Sequence, residues 1–95
     1  MKTYDLGERV LAFSTKRQGG VSTGPYASMN VNPYCGDVPG NVEQNRRLLA
    51  DRLGIVQEKI VLPHQVHGVN VEFVDGPCMP ENTDAVVTQT EGLCI

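Results

Sequence analysis

"DVPGNVEQNRRLLADRLG" (37–54) decides the fold, because it is the one stretch that carries helical spacing together with a start and a stop signal. Asp37 offers an N-cap oxygen, and Pro39 fits the first turn, where its missing N–H costs nothing. Gly54 supplies the C′ residue that a helix end favours. The spacing predicts a helix that begins just after Asp37 and runs to about Leu53, with an apolar stripe of Val42, Leu49 and Leu53, flanked by Leu48. Asn45 falls in that stripe. A bare amide on a buried face costs about 1–3 kcal/mol, so Asn45 needs partners. Either it bonds nearby loop backbone, or it holds the glycine loop or a ligand.

Working outward, the remaining elements read as short strands and turns. "RVLAFS" (9–14) is a short apolar strand, and "TKRQGGVSTGPY" (15–26) is broken by Gly19, Gly20, Gly24 and Pro25. "SMNVNPYC" (28–35) has room for a short extended piece, interrupted by Pro33. On the far side of the helix, "KIVLPH" (59–64), "VNVEFVD" (69–75) and "DAVVTQ" (84–89) read as strands. Val69, Val71 and Phe73 alternate with Asn70 and Glu72, so one face is apolar and Val74 alone breaks the period. One helix among separate strands is an α+β pattern. "GLCI" (92–95) reads as the opening of a further apolar strand. Residues 1–95 are therefore expected to be the N-terminal part of a larger single-domain fold, with an exposed C-terminal strand through which copies self-associate.

Composition removes several functions. Lys+Arg is 8 against Asp+Glu 11, for a net charge of −3, and no basic run exists. Nucleic-acid binding needs a basic face, so it is not expected. Aromatics are 5% and Trp is absent, which leaves no stacking platform for single strands. "MKTYDLGERV" lacks the apolar core of a signal peptide, and no apolar run approaches the ~18 residues of a spanning helix. Cys35, Cys78 and Cys94 are odd in number and unpatterned, and read as reduced, buried or half-buried thiols of a cytoplasmic protein.

Two stretches bear on chemistry. "PHQVHG" (63–68) holds both histidines of the chain. On a strand, residues three apart face opposite ways, so His64 and His67 are not expected to share a metal. A catalytic zinc wants about three protein ligands and an open position. Metal binding, proton chemistry and a plain turn all stay open on the residues alone. "KRQGGVSTG" (16–24) exposes backbone N–H groups beside Arg17, which suits an anion, although it matches no phosphate-loop spacing. A solvated surface turn is the plainer reading.

Taken in order, "FSTKRQGGVSTGPYASMNVNPYCGD" (13–37), "NVEQNRRLLADRLGI" (41–55), "PHQVHG" (63–68) and "TDAVVTQTEGLCI" (83–95) resemble the N-terminal part of the laccase-domain family. Its members, first labelled polyphenol oxidases, are better described as zinc proteins resembling purine nucleoside phosphorylases and adenosine deaminases. The resemblance implies β-sheet layers flanked by helices and a Zn²⁺ site whose first ligand is His67. The other ligands, a Cys and a His, are expected beyond Ile95 in segments of the T-A-D-C and H-A-G-W type. It also implies Arg17, Asn30, Asn45 and Gln65 as substrate-binding positions. With 63–69 taken as a strand, Gln65 shares the face of His67 and His64 is structural.

The implied substrates are purine nucleosides and phosphate, with the 95 residues inactive by themselves. Two other readings stand beside this one. A non-catalytic truncated module or dimerising domain would keep part of the fold without its chemistry. A hydrolase of a peptidoglycan precursor would use the same metal site. A copper oxidase is the weakest reading, since a single His/Cys/His site is not a multicopper cluster.

Overall fold

The computed structural model describes all residues, Met1–Ile95, and the fold is α+β, with one helix and two two-stranded sheets. The chain divides into two compact units, Met1–Asn45 and Arg46–Ile95, and the division falls within the helix. No helix is long and apolar enough to cross a membrane.

In the first unit, β1 (Lys2–Tyr4) pairs antiparallel with β2 (Ala12–Ser14), Thr3 opposite Phe13. The sequence gives β1 no signal: "KTY" is polar and solvent-exposed, and its pairing is made by β2 and by the Tyr4 Oη contact with Ser14 Oγ at 3.1 Å. Residues 9–11, expected in the strand, lie outside it. The segment 28–35 forms turns rather than an extended piece, following a short 3-10 turn at Gly24–Tyr26.

Helix α1 (Pro39–Leu53) ends where predicted, and Gly54 closes it with φ 71, as a C′ residue should. Its cap is one residue later than expected. Val38 O accepts the first helical bond, from Val42 N–H at 3.2 Å, so Val38 occupies the N-cap position. Asp37 sits just outside, where Oδ1 accepts the Val38 N–H at 2.7 Å and Oδ2 is engaged elsewhere. Val42, Leu49 and Ala50 form the buried stripe with Asn45, whereas Leu53 is half-buried and Leu48 exposed.

In the second unit, β3 (Val71–Phe73) and β4 (Ala85–Val87) run parallel, Glu72 opposite Val86. The expected strand at 59–64 is reduced to a 3-10 turn, Gln57–Lys59, and a single parallel bridge from Ile60 to Cys94. Pro63 has no N–H to give a ladder, which limits pairing there. The terminal segment is not loose: Cys94 N–H donates to Lys59 O at 2.9 Å, and Val61 N–H donates to Cys94 O at 2.8 Å. Ile60, Val61 and Val74 are the buried apolar residues beside Leu49 and Ala50 of the same unit.

The alternation at 69–75 is inverted in outcome. Val69 is 92% and Phe73 74% exposed, while Val74, the residue that breaks the pattern, is buried. The two-stranded sheet has no element of the second unit covering that apolar face.

All three cysteines are free, but Cys35 and Cys78 are exposed and only Cys94 is half-buried. For the first two, the expected burial does not hold, since both lie in segments outside the helix and strands.

Candidate functional site

The glycine loop of the first unit is organised by Asn45. Its Oδ1 accepts the Val21 N–H at 2.7 Å, and its Nδ2 reaches Ser22 Oγ (2.9 Å), Ser28 O (3.1 Å) and Asn30 O (2.8 Å). The side chain is fully buried, and both ends of the amide are committed. Asn45 thus holds the loop, which was one of the two roles open to it. It presents no free donor or acceptor to a ligand. The loop closes over it so tightly that only glycine fits at 20: a Cβ there would lie against Ser28 O, 2.5 Å from Asn45 Oδ1 and 2.6 Å from Met29 Cα.

Asp37 extends this network. Oδ2 accepts from Ser22 Oγ at 2.5 Å and from Asn30 Nδ2 at 3.2 Å. The Ser22 hydrogen bond is the main cause that holds the Asp37 carboxyl below the usual carboxylate range. Desolvation opposes it, and Asn30 and the Val38 N–H add to it. Asn30 has little freedom left, because its Oδ1 also accepts the Asn32 N–H at 3.1 Å and its Nδ2 approaches Cys35 Sγ at 3.3 Å.

Beside this scaffold lies an open cleft of about 280 Å³ lined by Arg17, Tyr26, Ser28, Met29 and Asn30. Arg17 Nε donates to Ala27 O at 2.8 Å, and Arg17 O accepts the N–H groups of Ser28 and Met29, both at 2.9 Å. The guanidinium is thereby oriented by one of its edges, while its Nη donors make no hydrogen bond within the chain. That arrangement suits a planar or phosphate-like anion. The structure brings Arg17 and Asn30 to one cleft.

The second unit carries Gln65 and His67 on a loop. Residues 61–70 form no strand, and His67 takes the left-handed conformation, φ 60. The expectation that Gln65 and His67 share one strand face therefore fails: the two-residue period ends where the backbone turns left-handed. His64 also escapes that geometry. It is exposed, its Nδ1 lies 2.8 Å from Glu81 Oε2, and its main chain bonds Pro80 and Thr83. The His67 ring is exposed and makes no hydrogen bond within the chain. Gln65 Nε2 donates to Asp84 O at 3.3 Å.

Asp84 was not singled out from the sequence, yet it organises this loop. Oδ1 accepts the Val66 N–H at 3.0 Å, Oδ2 accepts the Asn70 N–H at 3.2 Å, and the N–H groups of Gly68 and His67 also bond the carboxylate. Desolvation is the largest single influence and pushes its carboxyl up. The four backbone donors together outweigh it and hold the group below the usual range. The only local hint is an acid just ahead of the strand "AVV", and its partners lie far back in the sequence.

No group of three His, Cys, Asp or Glu side chains converges anywhere in the chain. The residues present fit one metal ligand, an accessible imidazole, and not a complete set.

These features, an α+β chain with a glycine loop pinned by an amide and a histidine loop pinned by a carboxylate, can be set against known proteins. The profile of the family described as multi-copper polyphenol oxidoreductase laccase matches residues 11–95, and the chain belongs to that family. Among its relatives, a purine nucleoside phosphorylase of Streptomyces coelicolor is 43% identical over 84 residues, 85% of this chain and 35% of that protein. One from Mycobacterium bovis is 37% identical over 95 residues, 98% of this chain and 38% of that protein. YlmD from Geobacillus stearothermophilus has the same fold over 81% of this chain and 32% of its own, with TM-score 0.76 and 31% identity. The chain thus spans about a third of the length of the relatives it matches.

Proposed function

We propose that this chain forms part of the active site of a zinc-dependent enzyme that cleaves purine nucleosides with phosphate, and that deaminates adenosine at the same centre. The observation that carries the reading is His67: an exposed imidazole with no partner in the chain, held left-handed on a loop that four backbone N–H groups fasten to one carboxylate. The substrate class is supported by the names of the relatives, which are purine nucleoside phosphorylases. In this reading His67 is one of three Zn²⁺ ligands, the others lying in segments these 95 residues do not include. When bound, the metal supplies Lewis-acid polarisation and a water acidified toward neutral pH.

The chain's own residues bind and orient. Arg17, which lines an open cleft and whose Nε is tied to Ala27 O, receives the phosphate. Asn30 shapes the wall of that cleft, and Asn45 acts behind it by fixing the loop. Gln65, tethered to Asp84 O, contacts substrate from the His67 loop. The 95 residues by themselves hold too few ligands for turnover.

The test is a chimaera in which residues 11–95 replace the matching segment of the Streptomyces coelicolor relative. Expected are stoichiometric zinc and phosphate-dependent release of free base from inosine. His67→Ala should remove both, and Arg17→Ala should weaken the dependence on phosphate while zinc stays. A folded, zinc-loaded chimaera that releases no base overturns the reading.

A further inference from the structure

We infer that Asp84 is the positioning residue of the histidine loop: it holds the backbone of His67 in the left-handed conformation from which the imidazole is presented. The functional consequence rests on the reading of His67 as a metal ligand, whereas the conformational claim stands without it.

The argument is geometric. Histidine seldom adopts positive φ, and it keeps such a conformation only where its surroundings impose it. The His67 ring, without hydrogen bonds in the chain, imposes nothing. The N–H groups of Val66, His67, Gly68 and Asn70 all turn toward the Asp84 carboxylate. Successive amides pointing inward form a concavity of the kind that binds anions, and here the chain's own carboxylate fills it.

The main chain of Asp84 completes the clamp. Its O accepts from Gln65 Nε2, and its N–H donates to Asn70 O at 2.8 Å, an oxygen that also accepts the Ala85 N–H at 3.1 Å. Asn70 Nδ2 donates to Asn82 O at 2.8 Å. Both sides of His67 are therefore fixed to the segment 82–85. Gly68 lies so close that a Cβ there would stand 3.3 Å from Asp84 Oδ2. A carboxylate that fixes the main chain around a ligating imidazole sets the direction of the ring, much as partners outside the coordination sphere set ligand orientation in other metal sites.

The decisive experiment is NMR on the 95-residue chain, comparing wild type with Asp84→Asn. The substitution keeps shape but can replace an acceptor oxygen by a donor facing N–H groups. Expected is exchange about 10-fold faster or more at the four loop amides, with Val21 and Ser22 unchanged, as local opening predicts. The strong intraresidue HN–Hα NOE that marks positive φ at His67 should weaken toward that of an extended residue. In a zinc titration followed at the His67 ring resonances, affinity should fall roughly 10-fold, the lower end for loss of an orienting partner.

An unchanged intraresidue HN–Hα NOE and unchanged protection in Asp84→Asn would overturn the proposal. A wild-type His67 ring that ignores zinc would instead overturn the metal reading, and the intraresidue NOE with the amide exchange would still decide the role of Asp84. Should Asp84→Asn fail to fold, Gly68→Ala presses on the same carboxylate and should give a smaller version of the same local signature. Its absence would count equally against the proposal.

Discussion

Two loops of this molecule are each held by one polar side chain, and they are held in different ways. The glycine loop is fixed from inside by Asn45, a neutral amide that is fully buried and bonded on both sides. The histidine loop is fixed by Asp84, a half-buried carboxylate that gathers backbone N–H groups near the surface. A buried amide must both donate and accept, so it suits a segment offering carbonyls and N–H groups together. A carboxylate only accepts, so it suits a run of N–H groups and can remain charged where water still reaches it. The first solution favours stability. The second leaves a side chain such as His67 exposed.

The largest expected effect breaks the first loop. Gly20→Ala puts a methyl group into backbone atoms of Ser28 and Met29, which cannot yield as a flexible side chain would. It should cost about 4 kcal/mol or more, in the range reserved for overpacked or broken buried sites. Urea unfolding would measure it, and a loss under 1 kcal/mol would show the loop to be far looser than described.

Next comes Asn45 itself. Asn45→Ala should cost about 3 kcal/mol, as buried groups lose their partners. Asn45→Asp is nearly isosteric, yet it should cost a similar amount of about 3 kcal/mol. It would aim a carboxylate oxygen at Ser28 O and Asn30 O, two acceptors that now receive Nδ2. Thermal melts of both variants decide this, and a tolerated aspartate would break the contrast between amide and carboxylate.

A smaller effect concerns acid. Asp37 has its folded-state carboxyl below the ordinary value of 3.8, chiefly through Ser22. Its contribution is complete above that value, where the unfolded chain has also ionised, and is lost as pH falls through the lower folded value, because there the unfolded state binds the proton more readily. Stability should therefore decline as pH drops below about 4, and Asp37→Asn should flatten that decline. Unfolding midpoints across pH 2–6 measure it, and an unaltered acid limb in the variant would remove Asp37 from the account.

The smallest effect is kinetic. Burial pushes the Cys94 thiol up, whereas Cys35 and Cys78 are exposed. A thiol reagent at neutral pH should label two cysteines quickly and Cys94 slowly, since the thiolate is the reactive form. Three equal rates would mean the tether between Ile60 and Cys94 opens freely.

What could be read from the sequence was what local physics dictates. Pro39, Gly54 and the spacing of Val42 and Leu49 defined α1, and Asn45 was marked as an amide needing partners. The cap slipped by one residue because Asp37 is drawn away by Ser22 and Asn30, contacts that no local pattern reveals. β1 was invisible because its three residues are exposed and owe their shape to β2. Period-two spacing misread 69–75, since alternation tells which residues share a face but not whether anything covers it. At the site, motif resemblance pointed to His67 and Arg17. It missed Asp84, whose importance lies in where four distant N–H groups point. The left-handed turn at His67 was equally hidden, because histidine's enrichment at positive φ is too weak to single out one position.

The bridge between Ile60 and Cys94 has a consequence for the order of assembly. The ties of the glycine loop join residues between 17 and 45, so they can form as soon as that stretch of chain exists. The second unit waits for its last residues, because Lys59 and Val61 have no backbone partner across the bridge until Cys94 arrives. Contacts between residues far apart in sequence form slowly, as the intervening chain must first be closed. Because synthesis runs from the N-terminus, the residues of the glycine loop are complete before Asp84, the clamp of the histidine loop, has been added.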